Sequence, residues 1–74
     1  MGDLKHLSKK LEGLLVHNPK PELLTLERFF DCYASNSSDK YARDKAKDCL
    51  DDLNLNDFDQ ESLKVLQEIR QALD

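Results

Sequence analysis

Two cysteines and two histidines are the residues of this chain best suited to nucleophilic chemistry. A catalytic pair would need a cysteine thiolate held by a nearby imidazole, and Cys32 or Cys49 could meet His6 or His17. Cys49, however, falls on a predicted apolar helix stripe, and Cys32 lies late in the preceding helix. Both are interpreted as small core or near-core residues. We therefore predict no catalytic residue and expect no enzymatic activity.

The spacing of possible metal ligands predicts neither a metal nor a cofactor. The four cysteines and histidines are 11, 15 and 17 positions apart, without the close pair that a structural zinc site requires. The acidic stretch from Asp52 has Asp57 where a calcium loop needs glycine, and Leu63 where it needs glutamate. Carboxylates such as Glu22 and Glu27 have ordinary surface spacings.

Charge is unevenly distributed along the 74 residues, whose formal net charge is −4. Residues 1–47 hold nine bases and seven acids, whereas residues 48–74 hold two bases and eight acids. No base occurs between Asp48 and Glu61. Such a segment repels phosphate backbones and attracts basic partners. We therefore expect no binding to nucleic acid, which depends on a clustered basic face.

Apolar residues recur at spacings of three and four throughout the chain, which predicts four helices, over residues 3–17, 20–35, 38–53 and 58–73. Turns after the first and third helices are predicted to use left-handed Asn18 and Asn54. The predicted first residues or caps of the helices are Asp3, Pro19 or Pro21, Ser38, and Asp57 in a capping box with Gln60.

Short turns between helices of this length favour antiparallel neighbours, so the predicted fold is all-α, a small antiparallel four-helix bundle forming one domain over residues 1–74. Apolar runs never exceed four residues, far below the roughly 18 that suggest a membrane span. Two cysteines are too few for a disulfide-rich secreted scaffold, and no signal peptide is recognised. We therefore expect a cytoplasmic protein.

The first functional hypothesis is a protein-interaction or regulatory domain that binds another, basic protein through its acidic C-terminal half or through a groove between helices. An acidic face also serves solubility alone. The residues that this hypothesis assigns to partner binding are Asp51, Asp52, Asp57, Asp59, Glu61 and Glu68.

An alternative hypothesis places the first helix on an anionic membrane, with Lys5, Lys9 and Lys10 beside its leucine stripe. Any bundle helix buries such a stripe, so membrane contact is the less favoured hypothesis. Self-association as a homodimer is a third, because the second helix is apolar on more than one side.

Four short helices, a small size and a leucine-rich first helix resemble the cytoplasmic immunity proteins that protect bacteria from their own pediocin-type bacteriocins. The likeness covers architecture only, so it transfers no residue to this chain. It implies a small helical protein that acts by occupying a partner.

Overall fold

The computed structural model describes residues 3–74, which form four α-helices joined by short turns. The helices are α1 (Asp3–His17), α2 (Pro21–Ser35), α3 (Lys40–Asp52) and α4 (Gln60–Leu73), with one turn of 3-10 helix, Leu55–Asp57, between α3 and α4. The predicted fold class, a small antiparallel four-helix bundle, is confirmed. Within the described range, no helix has the length and apolar character needed to cross a bilayer.

Each helix packs against the next one along the chain, and α4 closes the ring by packing against α1. Two ion pairs show the relative direction of α3 and α4. Lys47, in the middle of α3, contacts Asp74 just beyond the end of α4, and Asp51, near the end of α3, contacts Arg70 earlier in α4. The two helices therefore run antiparallel. The bundle measures 31 × 22 × 19 Å.

All four helices contribute leucine or phenylalanine side chains to one core, in the stripes that the sequence spacing predicts. Phe30 is the largest fully buried side chain, and Ala46 places only a methyl group on the buried face of α3. Burial of this apolar surface is the main favourable term in folding. The buried core cluster consists of Leu11, Leu14, Leu23, Leu26, Phe30, Ala46, Leu50, Leu53, Phe58, Leu66, Ile69 and Leu73.

The N-cap of α3 lies one residue later than predicted. Asp39, not Ser38, is the N-cap, because the Asp39 carboxylate accepts a hydrogen bond of 3.0 Å from the Ala42 backbone N–H. The Ser38 backbone N–H donates instead to the Asn36 side chain. Adjacent Ser and Asp have similar capping preference, so sequence alone does not choose between them.

The start of α4 is two residues later than predicted. Asp59 is the N-cap and accepts a 2.8 Å hydrogen bond from the Ser62 backbone N–H, whereas Asp57 ends the 3-10 turn. Between them Phe58 adopts an extended conformation and buries its ring in the core. A capping box on Asp57 would require residue 58 to be helical, so that prediction is wrong.

The prediction that Asn18 and Asn54 adopt left-handed conformations is also wrong, because no residue in the range 3–74 has a positive φ. The Asn18 side-chain amide instead donates to the Leu14 carbonyl at 3.2 Å. The Asn54 side chain accepts from the Asn56 backbone N–H at 3.2 Å, as in an Asx turn. The side chain of Asp3, predicted to cap α1, lies outside the described part.

Truncation of the central ring should test the core directly. We expect Phe30→Ala to lower the free energy of unfolding by about 3–5 kcal/mol, because it leaves a cavity that neighbouring leucines cannot fill. Val16→Ala, at a side chain that is 78% exposed, should change it by less than about 0.5 kcal/mol. Urea unfolding followed by circular dichroism measures both, and equal losses would contradict this description of the core.

Alanine scanning of adjacent positions tests the cap of α3. Asp39→Ala should destabilise the fold by about 1 kcal/mol, because the Ala42 N–H loses its acceptor. Ser38→Ala should cost much less, since its side chain accepts no cap hydrogen bond. A larger loss in Ser38→Ala than in Asp39→Ala, in the same urea experiment, would return the cap to the position predicted from sequence.

Candidate interaction surface

Three of the six predicted partner-binding acids form ion pairs between elements of the bundle. Glu68 of α4 lies 3.1 Å from the Lys10 ammonium of α1, and Asp57 lies 3.1 Å from that of Lys20. Asp51 contacts Arg70 across α3 and α4. These side chains are about one third to two thirds exposed, so each pair contributes about 0–1 kcal/mol. The predicted acidic face is therefore partly neutralised by bases from other parts of the bundle.

The other three acids have different roles. Asp59 caps α4, and hydrogen bonds from the Ser62 hydroxyl and backbone N–H lower the pKa of its carboxyl group. Asp52 and Glu61 are exposed and form no ion pair with another residue in the range 3–74. Two of the six acids thus lie at the end of α3, two in the connection that follows it and two on α4.

The segment 51–59, here called the acidic corner, combines carboxylates with one exposed leucine. Leu53 and Phe58 are buried, whereas Leu55 between them is 52% exposed. The Lys20 ammonium lies 5.0 Å above the Phe58 ring, within cation–π range, while it also binds Asp57. These contacts fix the corner against the start of α2 and leave Leu55 facing solvent.

An apolar cavity of about 330 Å³ opens beside the acidic corner, between α3 and α4. Leucines form most of its wall, and the paired Asp51 and Arg70 lie at its rim. Together the cavity and the corner are called the α3–α4 groove below. The residues that line the cavity are Leu50, Asp51, Leu53, Leu55, Leu63, Leu66, Gln67 and Arg70.

A second groove, between α1 and α4, is larger and more polar. Its cavity of about 520 Å³ is lined by both acids and bases, including Asp59, Glu61, Lys10 and His17. The Lys10–Glu68 ion pair joins the same two helices. Mixed charges and few apolar side chains make this groove a poor match for an apolar partner.

The basic residues of α1 that the alternative hypothesis uses do not share one environment. Lys5 and Lys9 are exposed, whereas Lys10 is held by Glu68. Leu11 and Leu14, from the leucine stripe, are buried in the core. The apolar side of α1 therefore packs largely inside the bundle.

The cysteines differ in exposure. Cys32 is exposed, so its interpretation as a core or near-core residue is wrong, while Cys49 is half-buried as predicted. Burial raises the pKa of the Cys49 thiol, with Asp52 and Asp48 adding to the effect, and keeps it protonated and poorly nucleophilic. In the described range, no three cysteines or histidines come together at metal-binding distance.

Sequence reasoning missed a carboxylate cluster between α1 and α2. Glu12, Glu27 and Asp31 bring carboxylate oxygens within 4.8 Å of one another. The hydroxyl of Ser8, a buried residue of α1, donates a hydrogen bond to Asp31. Three oxygen ligands of this kind could suit a hard cation such as Mg²⁺ or Ca²⁺, but exposed acids commonly cluster without one.

Proximity of like charges changes the acidity of Glu27. Hydrogen bonding with Asp31, followed by burial and repulsion from Asp31 and Glu12, raises the pKa of Glu27 from 4.5 to about 7, although Arg28 opposes the rise. A proton held between Glu27 and Asp31 removes one negative charge from the cluster. A pKa near neutrality suits general acid–base catalysis, but these three residues line neither the α1–α4 groove nor the α3–α4 groove.

One sequence signal could have suggested the cluster. Glu27 and Asp31 are four residues apart and so lie on the same side of α2, where like charges repel. The contribution of Glu12 and Ser8 depends on which side of α1 meets α2, and this requires the packed structure.

Comparisons with known proteins give no functional assignment. The sequence matched no protein-family model, and searches of curated proteins and of solved structures gave no match either. Function must therefore be argued from the geometry of this chain.

The cluster predicts a pH dependence of stability. Because the pKa of Glu27 is higher in the folded state, its contribution is greatest below about pH 4.5 and is lost as pH rises through about 7. Glu27→Gln keeps a hydrogen-bond donor for Asp31 and removes this titration. We expect the urea midpoint to fall more steeply from about pH 5 to pH 8 in the natural protein than in the variant. Glu22→Gln is the control, and a natural protein whose midpoint follows that of Glu27→Gln at every pH would contradict the assignment.

Proposed function

We propose that this protein is a small non-catalytic interaction domain that binds a basic segment of another protein at the acidic corner and the adjoining α3–α4 groove. The supporting observation is the position of Leu55, which is 52% exposed within a segment rich in carboxylates and beside an apolar cavity. Both surfaces considered from the sequence, the acidic half and an inter-helix groove, meet at this place.

Electrostatics favours a basic partner. Residues 48–61 contain six acids and no base, and the packed structure supplies Arg70 and Lys20 as ion-pair partners to two of them. Asp48, Asp52, Asp59 and Glu61 form no ion pair with any residue that the structure describes. The field of these four carboxylates attracts Lys and Arg side chains and accelerates encounter, an effect that added salt weakens.

Burial of Leu55 would provide the apolar part of such an interaction. Rim charges contribute mainly to orientation and association rate, whereas affinity comes largely from a few buried apolar or aromatic anchors. Membrane binding by α1 is a weaker proposal, because the core already buries Leu11 and Leu14.

Charge reversal at two positions of the same helix tests the proposal. Asp52→Lys reverses an exposed acid at the corner, and Asp44→Lys makes the same change nearer the start of α3. In affinity capture from the producing cells, quantified by mass spectrometry, Asp52→Lys should lower the amount of retained partner roughly fivefold, about 1 kcal/mol. Asp44→Lys should retain it at the natural level.

The decisive comparison is between the two variants at equal net charge. If both retain the same proteins in the same amounts, the acidic corner does not select a partner and the proposal fails. Circular dichroism of every variant checks that the bundle is intact.

A further inference from the structure

We infer that the occupant of the α3–α4 groove is an amphipathic helix of the partner protein, which places one large apolar side chain in the cavity and basic side chains over the acidic corner. This inference rests on the proposed function, because it specifies the partner class for the same surface. The proposed function already gives the partner a basic character. The inference adds that its binding segment is helical and carries an apolar anchor side chain.

The cavity is suited to an apolar anchor. Its volume of about 330 Å³ is near the lower end for ligand pockets, which matches side chains better than a large cofactor. Leu50, Leu53 and Leu66 are buried beneath it, and Leu63 is half-buried. Leu55 extends this apolar surface to the solvent, so that an anchor would contact both a buried floor and an exposed wall.

The shape of the groove favours a helix. Antiparallel α3 and α4 form a trough whose side-chain ridges can accept the ridges of a third helix. The bundle offers no strand edge within residues 3–74, which excludes strand addition by an extended peptide to the described elements. An amphipathic helix with apolar residues at spacings of three and four is a recognition mode that fits such a trough.

The charges at the two ends of the groove determine the direction in which the partner helix lies. At the end near the corner, Asp52 lacks an ion-pair partner in the described structure, and Asp51 already holds Arg70. At the opposite end, Lys47 and Asp74 neutralise each other at 3.2 Å. Basic residues of the partner helix should therefore lie toward the corner and its neutral part toward Lys47.

Synthetic peptides provide a probe for this groove. The test peptide is an amphipathic helix of about 15 residues, with leucines on one side and lysines on the other. One comparison peptide has glutamate in place of lysine, and another has the same composition in scrambled order. Titration of the isotope-labelled full chain by NMR reports affinity and binding position together.

We expect the leucine–lysine peptide to bind most tightly and to shift the amide signals of Leu55, Leu63 and Gln67 more than those of α1. Leu55→Ser should weaken binding about tenfold, because it removes the exposed apolar wall. Leu24→Ser is the matched control, since Leu24 is 43% exposed and lies on α2. It should leave affinity unchanged.

The outcomes that contradict the inference differ in what they mean for the proposed function. If Asp52→Lys weakens binding and Leu55→Ser does not, the groove inference fails while the acidic corner still binds a basic partner. If Leu55→Ser weakens binding but the glutamate peptide binds equally well, the role of charge fails, and both proposals fall. Equal binding of the scrambled peptide, shifts centred on α1, or no shifts at about millimolar peptide also overturn the inference.

Discussion

The connection between α3 and α4 depends on one packing constraint: Leu53 and Phe58 must both be buried within a link of seven residues. The 3-10 turn between them rises less per residue than extended backbone does. It therefore turns the chain within a few residues and brings Phe58 back to the core. Leu55 is left outside as a result. Lys20, immediately before α2, also holds the corner through its contacts with Asp57 and the Phe58 ring.

Electrostatic balance in this bundle is created by packing and not by the order of residues. Along the chain, bases predominate before residue 48 and acids after it. In space, Lys10 and Lys20 of the first half lie against Glu68 and Asp57 of the second half. Of the residues that the sequence assigned to competing functions, Lys10 of α1 and Glu68 of α4 are thus partners in one helix contact.

Much of the fold could be predicted from periodicity, because a leucine stripe at spacings of three and four has few alternatives in a short chain. Helix starts were less accurate. Ser38 and Asp39 have nearly equal preference as caps, and the choice of Asp59 over Asp57 depends on burying Phe58. The carboxylate cluster was beyond local reasoning, since Glu12 meets Glu27 only when two helix faces are paired.

The raised pKa of Glu27 makes the net charge of the folded protein differ from the formal value. The value of −4 counts every carboxylate as ionised, yet a group with a pKa of about 7 is roughly half protonated at neutral pH. The unfolded chain has no such shift, so folding near pH 7 takes up part of a proton from the solvent. The folded molecule therefore carries slightly less negative charge than its composition states, and folding is linked to proton uptake.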